Sequence, residues 1–145
     1  MSITSVSRSA AIVRPLVLKA PVVNPTAESA VATYKSTGLL KAVVIQDSAA
    51  NIKAQWTDLK TLAAAGKISA FKITDTTKQT LTLTVSDMAN STALVGKIAA
   101  VATLKVSDSS VNIGSNLDLL QAQAGKLISI EQSGTKSALS ISAAQ

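Results

Sequence analysis

The chain has 145 residues, a formal charge of +6 and a pI near 9.8, and it contains neither Cys nor His. That excludes disulfides, thiolate chemistry, Cys/His metal sites and any Ser–His–Asp triad. Hydrophobic residues make up 47% but aromatics only 2% (Tyr34, Trp56 and Phe71), so the core must be filled by Ala, Val, Ile and Leu, which suits thin stacked layers better than a cavity-bearing enzyme.

All three prolines, Pro15, Pro21 and Pro25, fall in the first 25 residues. The segment 10–23 between and around them is apolar and β-branched. Proline lacks the donor that a central strand needs, so the segment predicts an extended arm or an edge strand. Its apolar side chains Ile12, Val13, Leu16, Val17, Leu18, Val22 and Val23 are candidates for contact with a neighbour. Arg14 and Pro15 interrupt the apolar run, which makes it a poor leader peptide. Residues 26–37 predict a short helix, capped by Thr26 and ended by Gly38. Residues 1–38 are therefore expected to form the arm with its short helix, and residues 39–145 a repeat domain.

Leu40 to Ile45 reads as a strand. Next, Ile52, Trp56, Leu59 and Leu62 or Ala63 recur at helical spacing over residues 49–65, with Asp47 or Ser48 as cap and Gly66 as terminator. Residues 67–75 alternate as a strand does. A shorter unit comes next: a strand at 81–85, then a helix through residues 89–95 capped by Ser86-Asp87 and closed by Gly96. The longer pattern then returns, with a strand at 101–106, a helix at 111–124, Gly125, and a strand at 126–131. Asn51-Ile52 matches Asn112-Ile113, Trp56 matches Leu117, and Leu59 matches Leu120. The units are expected at 40–75 (long), 80–100 (short) and 101–133 (long), with a terminal strand at 138–145 that carries Leu139 and Ile141. Gly-Lys recurs at 66, 96 and 125, about thirty residues apart, a spacing typical of stacked repeats. The expected fold is α/β: a short repeat solenoid of parallel strands with helices on one side, plus the extended N-terminal arm.

The stretch Val106 to Ile130, VSDSSVNIGSNLDLLQAQAGKLISI, resembles a tandem repeat of large secreted bacterial proteins of RTX, haemolysin-like or adhesin-like type. The likeness covers residues 40–145. It implies an extracellular or cell-surface structural protein, exported by a type I or other non-classical route without a cleaved leader. The Gly-Gly-x-Gly-x-Asp nonapeptide of calcium-binding RTX rolls is absent, so calcium binding does not carry over.

Other chemistry weighs less. Asp47, Asp87 and Asp108 each precede a helix and could suggest a ladder of metal ligands, but one carboxylate per unit falls far short of calcium's needs, and helix capping accounts for them. The Gly-Lys pairs follow helices instead of opening them, the wrong end for a phosphate loop. Asp58 and Asp118 are expected on solvated helix faces, not as an acid/base pair. Trp56 is expected as core. Thr80, Thr82 and Thr84 alternate with apolar neighbours and mark a wet strand face. Only two of the fourteen basic residues are Arg, and the lysines stand singly, which argues against nucleic acid as partner. No run of about twenty apolar residues suggests membrane insertion.

The expected protein is thus not an enzyme and needs no cofactor or metal. It is a self-assembling structural protein forming a filament, sheath or surface layer by head-to-tail stacking and arm exchange, with itself as partner. The assembly surface would comprise the arm residues named above with Leu139 and Ile141. The alternative is a monomeric surface adhesion module that binds a glycan or a cell surface.

Overall fold

The computed structural model describes residues 24–38 and 40–139. The chain is mixed α/β, with short parallel strands in two small sheets. Helix α1 (Ala27–Thr37) comes first. The hydroxyl of its N-cap Thr26 accepts from the backbone of Ser29, and Gly38 ends it at φ 64°. Strand β1 (Val43–Asp47), helices α2 (Ala49–Ala54) and α3 (Trp56–Ala64) and strand β2 (Ile68–Ile73) come after it. Next are β3 (Thr80–Leu83), α4 (Val85–Met88), α5 (Thr92–Ile98) and β4 (Thr103–Asp108). The chain closes on α6 (Ser110–Gly114), α7 (Leu117–Ala122), a 3-10 turn at Ala124–Lys126 and β5 (Leu127–Gln132).

The strands do not form one continuous stack. β1 and β2 pair in parallel as one sheet, and β3, β4 and β5 pair in parallel, in that order, as the other. The two longer units share one plan. Each has a strand, two helices and a parallel return strand, and each has a register shift after its first pair, between Val43 and Val44 and between Leu104 and Lys105. That shift leaves Ser69 and Ile128 as the extra residues of β2 and β5.

The single helices expected at 49–65 and 111–124 are each broken. The first breaks at Gln55 (φ −95°, ψ 13°). The second breaks at Asn116 (φ −133°, ψ 28°), whose side-chain amide donates to the Asn112 carbonyl, a bond that competes with the backbone ladder. The middle unit is not a shorter kind: it too holds two helices, separated by Asn90 in the left-handed region at φ 54°. Its N-cap is Thr84, which forms a capping box with Asp87, in place of the expected Ser86-Asp87. Gly96 lies inside α5 and Gly125 in a 3-10 turn, whereas Gly66 ends its helix at φ 69°. The Gly-Lys pairs are therefore not structurally equivalent positions.

The core is one cluster running through both halves. It includes Ile45, Ile52, Trp56, Leu59, Leu83, Met88, Leu94, Ile98 and Leu104. Helix α5 packs on β2 and α3, and α2 packs on β3, so the second half covers the end of the first. Ala138 and Leu139 are irregular, and the rest of the expected terminal strand, with Ile141, lies outside the described residues. So do Ile12, Val13, Leu16, Val17, Leu18, Val22 and Val23 of the expected arm.

Candidate functional site

The residues with the most elaborate polar geometry are the aspartates at the ends of strands. Asp47 closes β1. Its Oδ1 accepts from the Ser48 backbone and the Asn51 side chain, both at 2.8 Å, and its Oδ2 accepts from the backbone N–H of Ala27 at 3.0 Å. Asp108 closes β4 and repeats the pattern. Oδ1 accepts from Ser109 at 2.8 Å and Asn112 at 2.7 Å, and Oδ2 from the backbone of Val85 at 2.9 Å. Ser48 and Ser109 cap their own helices through the backbones of Asn51 and Asn112. Each aspartate instead caps the helix of the unit before it. The same sequence, Asp-Ser-x-x-Asn, builds both clamps, at 47–51 and 108–112.

A third clamp uses Asp75, just past β2, whose Oδ2 accepts from the backbone of Ala49 at 2.8 Å. Sequence reasoning missed its role. The signal was present in the recurrence of an Asp about twenty to thirty residues after the starts of α1, α2 and α4, because a parallel return strand ends beside the N-terminus it must satisfy.

Asp87 has a different place. It is the third residue of α4, bonded to the Thr84 backbone at 2.9 Å, and it forms an ion pair with Lys53 of α2. The Trp56 indole N–H donates to the Asp87 carbonyl at 3.0 Å, and the Lys53 ammonium lies 5.8 Å from the Trp56 ring centroid. Lys60 of α3 donates to the carbonyls of Ser86 and Ala89. Trp56 is thus a core residue, as its spacing predicts, and also a bridge between the halves. Burial pushes the Asp87 carboxyl up, but hydrogen bonds from Lys53 and the Thr84 backbone and the charge of Lys53 outweigh it, leaving the pKa below its usual value. Burial likewise opposes ionisation of Asp108, and the Asn112, Val85 and Ser109 donors outweigh it in the same direction.

These carboxylates are occupied by donors, which leaves little for a ligand. A shallow pocket beside Asp47 is lined by Thr26, Glu28, Asn51 and Gln55, but both Asp47 oxygens already face N–H groups. Among the described residues, no three His, Cys, Asp or Glu side chains gather as a metal site would require. Asp58 and Asp118 are not brought together: Asp58 pairs with Lys35 of α1 at 2.9 Å, and Asp118 sits exposed in the first turn of α7. The Thr80–Thr84 series is interrupted. Thr80 bonds Thr103 across the strands at 2.6 Å, Thr82 is exposed beside Lys105, and Thr84 is a helix cap. No helix among the described residues is long and apolar enough to cross a membrane.

The unusual surface lies along β5. Ile45 pairs with Phe71 in the first sheet, and Val106 with Ile130 in the second, so Phe71 and Ile130 hold equivalent positions on the core-facing side. Phe71 is 4% exposed and Ile130 is 44% exposed. Ile128 beside it is 62% exposed, and no described strand pairs with the outer edge of β5. Leu139, the one predicted assembly residue that is described, is 36% exposed. Sequence reasoning placed the open edge at Leu139 and Ile141 and did not single out Ile128 or Ile130. The alternation of 126–131 showed a strand but not which of its faces would be left bare.

No protein-family model, curated protein or solved structure matches the chain.

Proposed function

We propose that this is a self-assembling extracellular structural protein, a short α/β solenoid whose units continue from one copy to the next in a filament, sheath or surface layer. The observation that carries the reading is the contrast between Phe71 and Ile130. The same position is sealed by the next unit in one case and bare in the other. An open edge strand with apolar side chains is a template for another chain. Two of the clamps support the solenoid reading, because Asp47 and Asp108 each reach back to the first N–H of the preceding helix segment, at Ala27 and Val85. The arm residues Ile12, Val13, Leu16, Val17, Leu18, Val22 and Val23 would supply the second contact, with Leu139 and Ile141 beside the first.

The test is negative-stain microscopy and light scattering on the full chain, on a variant lacking residues 1–22, and on Ile130→Asp. That deletion spares Pro25, whose carbonyl accepts from Gln46 of β1. Assemblies should shrink in both variants. Assemblies of unchanged size in both would overturn the reading. The alternative, a monomeric adhesion module, draws on the polar outer face of the second sheet, where Thr80, Thr82 and Glu131 are exposed. A single monomer peak at high concentration, with retention on a glycan array, would favour it.

A further inference from the structure

We propose that β5 docks on the β5 of a second copy, antiparallel about a two-fold axis. This rests on the reading of β5 as an assembly surface, but it replaces a head-to-tail contact there with a symmetric one.

The faces of β5 are set by its register. Leu127 lies opposite Leu104 and Ile130 opposite Val106, both buried, so these two look toward the core. Ser129 lies opposite Lys105 and Glu131 opposite Ser107, which are half-exposed, so these two look outward. Ile128 is the extra residue at the register shift. From Lys126, the last residue of the 3-10 turn, whose ammonium donates to Gln123 Oε1 at 2.8 Å, to Glu131 in β5, the chain thus reads cation, apolar, Ile128, Ser129, apolar, anion. Reversed, the string complements itself at its two outer pairs, and Ile128 falls opposite Ser129 of the second copy. An antiparallel partner in that register sets Lys126 against Glu131 of the second copy and Leu127 against Ile130 of the second copy, each pair made twice. Directly opposed side chains on antiparallel strands interact, and a two-fold contact requires this kind of self-complementarity.

Helix α1 is a poor mate. It buries Ala27, Ala30 and Val31 inward and exposes Glu28, Ser29, Thr33 and Ser36. Its exposed face offers Ile130 no large apolar side chain. Glu131 already pairs with Lys105 at 3.1 Å, so in the dimer it would sit between that lysine and Lys126 of the second copy.

Sedimentation velocity on the full chain tests this through charge exchange. Wild type should show a concentration-dependent dimer. Lys126→Glu and Glu131→Lys should each weaken it about tenfold or more, because each sets like charges face to face twice. An equimolar mixture of the two variants should recover the dimer, since every pair is again of opposite sign, and so should the double variant K126E/E131K. Far-UV circular dichroism of each variant checks that the fold is kept. Single variants that dimerise like wild type, or a mixture that stays monomeric, would overturn the symmetric contact. Large assemblies that persist unaffected by these charges would remove the two-fold contact alone. A wild type that stays monomeric throughout would remove both it and the assembly reading.

Discussion

The ends of the two sheets invite comparison, since β2 and β5 close the same strand–helix–helix–strand plan with the same register shift. At β2 the next unit lies across the core-facing side: α5 packs there, and Lys97 donates to the Ser69 carbonyl at 3.2 Å. At β5 nothing described does so. Burial in this fold is thus not a property of a unit's own sequence. A residue of similar character, Phe71 or Ile130, is core or surface according to whether a further unit packs over it. A unit supplies one apolar face and borrows the other.

Substitutions at the two positions should therefore differ sharply. Phe71→Ala should cost about 3–5 kcal/mol, the usual range for emptying a sealed aromatic site. Ile130→Ala should cost under about 1 kcal/mol in the monomer, because much of that side chain is already in water. Urea denaturation at low protein concentration measures both. Equal losses would mean that the β5 face is covered after all.

The clamps give the next largest effect. Asp108→Ala removes the acceptor for Val85, Ser109 and Asn112 and should cost about 2–3 kcal/mol. Asp47→Ala, in the equivalent clamp, should match it within about 1 kcal/mol. A clear mismatch in thermal denaturation would show that the two units are alike in geometry but not in energetics.

Acid should loosen the second half through Asp87 and Asp108. Both carboxyls lie below their usual values in the fold. The unfolded chain then takes up protons at higher pH than the folded one, so the stabilisation is present above about pH 4 and is lost as pH falls through the folded-state pKa values. Asp108→Asn should flatten that part of the stability–pH curve. A curve of wild-type steepness in the variant would remove Asp108 from the account.

Lys35→Ala should do least. Its pair with Asp58 joins α1 to α3 in the open, with the lysine 62% exposed, and is worth under about 0.5 kcal/mol. A larger loss would show α1 to be more weakly packed than the burial of Ala27, Ala30 and Val31 implies.

The local features were legible. Thr26, Ser48, Gly38 and Gly66 mark helix ends by chemistry confined to a few neighbouring residues, and the structure puts helix ends there. The non-local ones were not. Either Asp47 or Ser48 could cap α2 on sequence grounds, and only the parallel pairing of β1 shows that Ser48 does so while Asp47 reaches back to Ala27. The breaks at Gln55 and Asn90 also escaped notice. Helical periodicity continues across a short kink, and an Asn in the left-handed region resembles any other Asn. The thirty-residue spacing of Gly-Lys misled in the opposite sense, since one dipeptide serves three backbone settings.

The reach of the clamps bears on how the chain is made. Ala27 waits for Asp47, Ala49 for Asp75, and Val85 for Asp108, always a partner nearer the C-terminus. On the ribosome, therefore, α1, α2 and α4 leave the exit tunnel already capped by Thr26, Ser48 and Thr84, but the first backbone N–H of each gains its aspartate acceptor only after a further strand has been synthesised. Completion of these three helix starts would trail their own synthesis by one strand.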